Sequence, residues 1–414
     1  MRIIYIQQHF RYPTEKGGSR PYEQALRLAA AGHEVHVITT VSDAQQAGWH
    51  TKYVSGFKVH SYSLRYDQKM NYADRIAAFL KFALVSTTKA RSLGGDLIYA
   101  SSTPLTVAVP GMLASVFPNK PFIFEVRDLW PDLPIAFGAL RNPIARKLAR
   151  LLEISAYRRA SHIVALSPDM KDRISELTGG SKPITVIPNA ADTNRFRISH
   201  KDGKQWVADN LGLPLDRPLA TYAGVFGEAN RVDFFVDVAK HLKNMNSKVA
   251  ILLIGDGKEK AGVIEAAYSS GCYNKNLFIS DPISKEEIAL VYGGSDVILS
   301  SLAPLKELGS SSPNKVFDAF AAGKPVAINY SGWLAKVLEQ SGAGISTDFD
   351  PIQYAVALDR FMADKNSLIE SSKASSHLGQ VKFNRDHLVA MLLGVLSREY
   401  AATIKNDSNR SVKK

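Results

Sequence analysis

The sequence is poor in the features that mark secreted, membrane-spanning or metal-binding proteins. It has 414 residues but a single cysteine, Cys272, so no internal disulfide can form. No group of cysteine and histidine residues has the spacing of a structural metal site, and we expect neither a metal nor another cofactor. These absences remove the usual signs of an oxidising compartment.

Long apolar runs are missing as well. The most apolar stretch, residues 104–117, is interrupted by Pro110 and Gly111 and is too short to cross a bilayer. The chain enters a strand-like run at Arg2, without the apolar core of a signal peptide. We therefore expect a cytoplasmic protein.

The charge is strongly positive, with a net value of +12. Such an excess favours an acidic partner, which could be nucleic acid, an anionic membrane or a polyanionic small substrate. Nucleic acid is the weakest choice, because the basic residues are spread along the chain and no zinc finger or recognition-helix motif occurs.

Short β-rich runs alternate with helical patterns in two successive halves of the chain. The strand-like runs are 2–10, 33–41, 96–100, 122–126, 162–166 and 184–187, then 219–223, 249–254, 277–279, 297–302 and 326–328. This order predicts an α/β protein with two tandem doubly wound, Rossmann-like parallel sheets. Ligands bind beyond the carboxyl ends of such strands, so we expect the site in a cleft between the domains.

The same pattern sets the domain boundaries. We place the first domain at residues 1–195 and the second at 196–385. Residues 386–404 are expected to form a helix that packs back across the domains. Residues 405–414 are predicted to be a basic, disordered tail.

A serine-rich segment after the fourth strand of the second domain is the most informative part of the chain. Ser312 suits a helix N-cap, Pro313 the first helical position and Gly323 the residue past the end. A helix N-terminus favours an anion such as phosphate, and Lys315 adds a positive charge there. Asp318, one turn further on, can accept ribose hydroxyls. The segment predicts a nucleotide site, although an ordinary capped helix remains the alternative.

Three other loops follow strands of the second domain. Glycine there lets the backbone approach a pyrophosphate closely, a lysine can neutralise it, and backbone groups can contact a base. Each loop alone is a weak signal, but together they predict one ligand site at one edge of a sheet. The residues are Gly224, Gly227, Gly255, Asp256, Gly257, Lys258, Pro282 and Ile283.

The first domain has its own candidates. The segment Gly17-Gly18-Ser19-Arg20 lies between the first strand and the first helix, where backbone groups can face a substrate. It lacks the pattern Gly-x-Gly-x-x-Gly, which argues against a dinucleotide cofactor. Arg127 and Asp128 follow a later strand, where they form either a reactive pair or a surface ion pair.

Basic residues crowd one predicted helix, residues 143–160, and its approach. Its apolar positions either face the domain core or, with the basic ones, form a peripheral surface for anionic lipid. The basic residues in question are Arg141, Arg146, Lys147 and Arg150.

The chain resembles a retaining glycosyltransferase of family 4 with the GT-B fold, from the bacterial branch that builds cell-surface polysaccharides. The resemblance extends from the first strand to about Gly344. The segments that carry it are 17–20, 32–35, 127–131, 186–192 with Phe196, 255–257, 312–315 and 323–325.

The resemblance implies a nucleoside-diphosphate sugar, with UDP expected, on the second domain and an acceptor on the first. It places Asp318 at the ribose, the glycine loops along the pyrophosphate or sugar, and residues 17–20 at the acceptor. Arg127, Asp128 and Lys315 would assist the reaction. The residues around the diphosphate would be Ser310, Ser311, Ser312, Asn314 and Lys315.

The chain also departs from the family pattern. Many members carry two glutamates eight positions apart, where this chain has Ser310 and Asp318. An Arg and a Lys common in the first loop of the second domain are replaced by Val225 and Asn230, and Arg231 is our candidate for the missing charge.

Three functions remain open from the sequence. The first is a retaining, metal-independent transferase that moves a sugar to a lipid-linked glycan, in the cytoplasm or on the inner face of the membrane. The second is a nucleotide-sugar epimerase on the same fold. The third is a non-catalytic scaffold that binds nucleotide sugar.

Overall fold

The structure is a computed structural model that describes residues 1–13, 15, 19–42, 47–65, 70, 72–116, 119–190, 192–214 and 216–411. Two compact units emerge from its contacts. The first runs from Met1 to Pro188, apart from residues 14–16, and includes the chain from Leu388 onward. The second runs from Asn189 to His387 and includes residues 14–16.

The change of unit falls after Pro188, whereas the sequence places it after residue 195. The intervening residues are held by the second unit. The backbone N–H of Asn189 donates to the Ser312 hydroxyl, and the Arg195 guanidinium lies 4.0 Å from the Glu286 carboxylate. These polar contacts draw the linking segment into the second unit.

The first unit contains an α/β sheet, as the alternating pattern predicts. Its described residues form eight strands in the order β3-β4-β2-β1-β5-β6-β7-β8, all parallel except β3. The central strands are buried on both faces, as parallel strands covered by helices must be. The strands are β1 Arg2–Ile6, β2 Glu34–Val41, β3 Trp49–Val54, β4 Phe57–Ser63, β5 Leu97–Ser101, β6 Phe122–Val126, β7 His162–Ala165 and β8 Ile184–Val186.

Strands β3 and β4 form an antiparallel hairpin that the sequence analysis missed. The two-residue turn is Ser55-Gly56, and both residues have positive φ, at 47° and 93°. Such turns match the twist of a hairpin. The alternation in Trp49–Val54 is weak because most of that strand is exposed.

Helices cover the sheet of the first unit. Several have clear end signals: Asn142 caps α5 by accepting from the backbone N–H groups of Ile144 and Ala145, and Ser167 caps α6. The described helices are α1 Arg20–Ala30, α2 Tyr72–Ser92, α3 Ala108–Ala114, α4 Asp132–Ala136, α5 Pro143–Arg159 and α6 Pro168–Thr178.

The second unit repeats the design with a smaller sheet. Its described strands are all parallel, in the order β11-β10-β9-β12-β13-β14, so their carboxyl ends share one edge. The strands are β9 Leu219–Ala223, β10 Ala250–Ile254, β11 Leu277–Ser280, β12 Val297–Ser300, β13 Val326–Ile328 and β14 Gly344–Ser346.

Helices of the second unit begin with α7, and a capping box formed by Ser284 and Glu287 starts α10. The helices are α7 His200–Leu211, α8 Phe234–Asn244, α9 Lys260–Ser269, α10 Lys285–Gly294, α11 Asn314–Ala321, α12 Trp333–Ser341, α13 Pro351–Ala363 and α14 Lys365–His377.

The last helix, α15, runs from Arg385 to Ser411. The sequence predicts a disordered tail from residue 405, but the helix includes the first seven residues of that tail and ends at Ser411. Ala401 and Ala402, which favour helix strongly, carry the backbone into this segment. Residues 412–414 lie outside the described part of the chain.

Candidate active site

The serine-rich segment lies at the carboxyl edge of the second sheet, between β12 and α11. Pro313, rather than Ser312, immediately precedes the helix, and it makes no side-chain cap. Ser312 is engaged elsewhere, because its hydroxyl and its carbonyl accept from the backbone and side chain of Asn189, at 3.2 and 2.5 Å. The predicted N-cap is therefore wrong, although the helix itself is present.

The other serines also hold the loop together. The Ser310 hydroxyl donates to the Glu307 carbonyl at 3.0 Å, and the Ser311 carbonyl accepts from the Trp333 indole at 2.8 Å. These bonds fix the path of the chain into α11. The Val316 N–H donates to the Pro313 carbonyl at 3.2 Å, so the N–H groups of Asn314 and Lys315 are those that the first turn of α11 offers to an anion.

Lys315 is the most unusual residue of the site. Its side chain is only 9% exposed, and its ammonium lies 3.4 Å from the Asn230 amide oxygen and 4.0 Å from the centre of the Tyr222 ring. Among the described residues, no carboxylate lies within 4.0 Å of it. Burial lowers the pKa of Lys315 to about 7. A buried ammonium without a counterion is poised to bind an anion.

Gly224 makes room for this ammonium. A Cβ atom at Gly224 would approach the Lys315 Nζ to 3.1 Å. Asn230, which stands where the family often has a lysine, contacts the same ammonium. Lys315 therefore places a positive charge beside Asn230, the position at which this chain lacks the lysine of the family pattern.

The glycine loops after β9 and β10 fit against each other. Cβ atoms at Gly255 and Gly257 would lie 1.8 Å from the Gly224 carbonyl and 2.1 Å from the Phe226 carbonyl. Backbone bonds join the loops, with Phe226 N–H donating to the Asp256 carbonyl at 2.9 Å. These glycines thus allow the two loops to pack against each other, and the N–H groups of Gly224, Gly255 and Gly257 already donate to Ile254, Ser280 and Asp256. Lys258 follows on the exposed rim.

Arg231, proposed from the sequence to replace a missing positive charge, is paired with an acidic residue. Its guanidinium donates to both carboxylate oxygens of Asp233, at 2.8 to 3.1 Å, and lies over the Phe349 ring. The ion pair neutralises Arg231. Gly227 accepts backbone bonds from Asn230 and Arg231 and shapes this turn. Within the described part of the chain, Lys315 has no carboxylate partner, whereas Arg231 has Asp233.

Asp318 lies on α11 and is buried. Its carboxylate forms an ion pair with Lys285. Lys285 is the first residue of α10 and was not assigned by the sequence analysis. The loop before it contains Pro282 and Ile283, and the Ile283 side chain packs against a small apolar cluster of the second unit. This loop keeps its backbone at the edge of the sheet, near the start of α10.

Arg20, predicted to contact the acceptor, lies inside the first unit. Its guanidinium donates to Glu125 at 2.8 Å and to the carbonyls of Ile187 and Pro188 at 2.9 and 2.6 Å. Burial opposes ionisation of Glu125, but Arg20 outweighs it and lowers the pKa of that carboxyl to about 2. Arg20 is thus a structural residue. Ser19 precedes α1 without a side-chain cap, and Gly17 and Gly18 lie outside the described residues.

Arg127 and Asp128 follow β6 at the carboxyl edge of the first sheet. They do not pair with each other: the Asp128 carboxylate accepts from the Thr103 hydroxyl at 2.8 Å. His9 lies beyond the end of β1, where the positive charge of Arg127 acts on its imidazole. Burial, with the positive charges of Arg11 and Arg127, lowers the pKa of His9 to about 4. His9 is therefore a neutral imidazole that the sequence analysis did not assign.

Helices α2, α3 and α5 of the first unit expose an apolar surface. α3 contacts both α2 and α5. Seven large side chains, 41% to 70% exposed, form what we call the apolar ridge: Ile76, Leu80 and Leu84 on α2, Leu113 on α3, and Ile144, Leu148 and Leu151 on α5. Among the described residues, no helix combines the length and the apolar character needed to cross a membrane.

The four predicted basic residues divide into two pairs. Arg146 donates to the Leu140 carbonyl at 2.7 Å, and Arg150 pairs with Asp132 and Glu153. Arg141 and Lys147 are exposed. Arg146 and Arg150 are half-buried, so Arg141 and Lys147 are the more exposed two of the four.

Two family models match the chain in succession. One, described as a glycosyl transferase 4-like domain, matches residues 17–190, and the other, described as glycosyl transferases group 1, matches residues 207–377. The unit boundary at Pro188 lies within two residues of the end of the first match.

Curated relatives are distant. WcaI of Escherichia coli, named for colanic acid biosynthesis as a glycosyl transferase, is 22% identical over 64% of this chain and 69% of its own length. D-inositol 3-phosphate glycosyltransferase of Xylanimonas cellulosilytica is 24% identical over 64% of this chain and 62% of its own length.

Solved structures share the fold at low identity. Sucrose-phosphate synthase of Thermosynechococcus elongatus has a TM-score of 0.79 at 16% identity, covering 97% of this chain and 99% of its own. HepE of Anabaena, in complex with UDP and glucose, has a TM-score of 0.70 at 16% identity, covering 96% and 99%. With its two sheets, its two successive family matches and these neighbours, the chain belongs to the glycosyltransferases of the GT-B fold, with a glycosyl transferase 4-like domain followed by a group 1 domain.

Proposed function

We propose that the protein is a retaining, metal-independent glycosyltransferase that moves a sugar from a nucleoside-diphosphate sugar, with UDP as the nucleotide, to a lipid-linked glycan. The observation that carries this proposal is the buried, unpaired ammonium of Lys315. A diphosphate would supply the counterion that the described residues lack, and the N-terminus of α11 would add N–H donors.

The choice of UDP and of a surface glycan draws on the relatives. HepE has been solved with UDP, and a trehalose-6-phosphate enzyme of E. coli with UDP-2-fluoro glucose. WcaI and TuaC of Bacillus subtilis are named for colanic and teichuronic acid biosynthesis. These names support a polysaccharide pathway and a uridine nucleotide for this chain.

The proposed step balances without an added base. The bond between the sugar C1 and the phosphate oxygen breaks, a bond forms between C1 and the acceptor oxygen on the same face, and the hydroxyl proton passes to the departing phosphate. Lys315 stabilises the charge that develops on that phosphate. Arg127 and Asp128, on the first unit, would orient the acceptor rather than remove its proton.

Calorimetric titration with UDP, GDP and ADP tests the donor site. We expect one diphosphate to bind at about micromolar strength and Lys315→Met to weaken it about 10- to 100-fold. An absence of binding by all three would contradict the proposal.

Two further experiments need both the donor and the acceptor. The anomeric configuration of the product, followed by NMR, tests retention, and unchanged turnover in EDTA tests metal independence.

The apolar ridge is the proposed contact with a membrane that holds the lipid-linked acceptor. Ile144, Leu148 and Leu151 repeat at helical spacing, so one face of α5 points outward. Soluble surfaces rarely leave such a continuous apolar face uncovered. Insertion of these side chains at the lipid interface would remove them from water.

Charge favours an anionic bilayer over a protein partner. Helices α2, α3 and α5 carry only two acidic residues, Asp74 and Glu153, and Glu153 is buried. The basic residues with exposed side chains on or beside these helices are Lys81, Arg91, Arg141, Lys147 and Arg158. Exposed cations on the same helices as exposed leucines complement anionic headgroups.

A further inference from the structure

The carboxylate of Asp318 has a basic partner whose role is not explained by phosphate binding. The Lys285 ammonium pairs with the Asp318 Oδ2 atom and lies 5.1 Å from the centre of the Phe196 ring. The Asp318 side chain is 8% exposed and that of Lys285 is 30% exposed. The pair is therefore buried at its acidic end and open to solvent at its basic end.

The position of Lys285 is fixed by its backbone. It is the first residue of α10 and lies within the capping box in which Ser284 and Glu287 bond reciprocally, at 3.2 and 2.8 Å. A capping box holds the first turn of a helix in one conformation. The residues just before it, Pro282 and Ile283, belong to the loop that the sequence assigns to the base.

The ion pair occupies one oxygen of Asp318 and leaves the other open. Lys285 donates to Oδ2, and among the described residues no donor reaches Oδ1. An ionised carboxylate accepts about four hydrogen bonds. Lys285 thus compensates the buried charge of Asp318 and orients the carboxylate without using up its acceptor capacity.

We propose that Lys285 is a positioning residue for ribose recognition, which holds the Asp318 carboxylate in the orientation that lets its free oxygen accept the ribose hydroxyls of the donor nucleotide. This inference rests on the proposed function, since it requires a nucleotide at the site. Lys285 acts through Asp318, and it begins α10 shortly after the loop of Pro282 and Ile283. We therefore expect Lys285 to strengthen the preference of the site for nucleotides that carry the 2′-hydroxyl.

Calorimetry with UDP and 2′-deoxy-UDP measures this role directly. We expect the wild-type protein to bind UDP about tenfold more tightly than 2′-deoxy-UDP, since the lost hydroxyl donates to a charged acceptor. In Lys285→Met the ratio should fall towards one, and Lys285→Arg should restore part of it. Lys336→Met is the matched control, because Lys336 is exposed on α12 of the same unit; it should keep the wild-type ratio.

The outcomes separate the two proposals. If the wild-type protein prefers UDP to 2′-deoxy-UDP and Lys285→Met shows the same preference, the role of Lys285 is refuted and the donor site stands. If the wild-type protein binds neither nucleotide, both proposals fall. If Lys285→Met does not fold because Asp318 is left unpaired, the double variant Lys285→Met/Asp318→Asn removes both charges. It should fold and bind both nucleotides with equal affinity, and retained discrimination there would overturn the inference.

Discussion

At the scale of single residues, Lys315 is a buried ammonium at the carboxyl edge of the second sheet. Lys315 lies between Asn230 and the Tyr222 ring without a carboxylate among the described residues. The sequence predicts its position at a helix start and its positive charge, but not its burial. Burial depends on Gly224 and on the loop after β9, which are distant in the chain.

The lowered pKa of Lys315 predicts proton uptake on nucleotide binding. Its pKa of about 7 means that much of the lysine is neutral in the free protein at slightly alkaline pH. A bound diphosphate favours the charged form and raises that pKa, so binding at about pH 8 should take up a proton and weaken as pH rises. Calorimetry in buffers of different ionisation enthalpy measures the uptake.

The comparison variant for this prediction is Lys315→Met, in which uptake should vanish. Lys336→Met, exposed on α12, should behave like the wild type. Binding of UDP by the wild-type protein with no proton exchanged would show that Lys315 is already charged or does not contact the phosphate.

Gly224→Ala should weaken nucleotide binding while the protein stays folded. The added methyl group would stand 3.1 Å from the Lys315 Nζ and 3.0 Å from the Tyr222 hydroxyl, so the ammonium must move. We expect UDP affinity to fall about tenfold, in keeping with the loss of one charged contact. Thermal melting checks the fold and calorimetry the affinity.

Gly262→Ala is the matched control for that variant. Gly262 lies within α9, and a Cβ atom there meets nothing within 4 Å. Alanine in a helix should leave UDP affinity unchanged and raise stability slightly. Equal UDP affinity in Gly224→Ala and Gly262→Ala would remove Gly224 from the site.

At the scale of elements, the strand and helix order was predictable because most strands are buried and apolar. The hairpin of β3 and β4 was missed because Trp49–Val54 is largely exposed, and its strongest signal was the Ser55-Gly56 turn. Helix α11 was predicted correctly but its N-cap was predicted wrongly, since the partner of Ser312 is Asn189, far away in sequence. Local patterns locate elements, whereas distant contacts decide which polar groups remain available.

The surface of α2, α3 and α5 yields a prediction at the same scale. Replacing Leu80 and Leu148 with glutamate should reduce sedimentation with vesicles of phosphatidylglycerol and phosphatidylcholine several-fold, because charged side chains resist insertion. Raised salt should weaken binding by the wild-type protein, since its exposed cations contribute.

Ile369→Glu provides the control for this experiment. Ile369 is exposed to a similar degree on α14 of the second unit, outside the apolar ridge. That variant should bind vesicles as the wild type does. Undiminished binding by the Leu80 and Leu148 variant would place the lipid contact elsewhere or show that there is none.

At the scale of the whole molecule, the resistance of the first unit to acid depends on a buried ion pair. Arg20 holds Glu125 and the last carbonyls of the unit, at Ile187 and Pro188. The pKa of Glu125 is lowered to about 2 from an ordinary value of 4.5. The pair therefore contributes its full stability above about pH 4.5, and that contribution is lost as pH falls towards 2.

Arg20→Met should lower the free energy of unfolding by about 3–5 kcal/mol at neutral pH, because it leaves a buried carboxylate without its partner. Denaturant unfolding followed by circular dichroism measures the change. The double variant Arg20→Met/Glu125→Gln removes both charges and should recover part of the loss. A single variant as stable as the wild type would mean that Arg20 does not compensate Glu125.

Under the proposed function, the uncompensated lysine would also link the lifetime of the protein to its supply of donor nucleotide. Keeping Lys315 out of water costs the empty fold stability, and a bound diphosphate removes that cost while adding its own binding energy. A cell short of donor would then hold a looser second unit, opened more often to proteases. Enzyme abundance would fall with the sugar nucleotide, without a dedicated regulator.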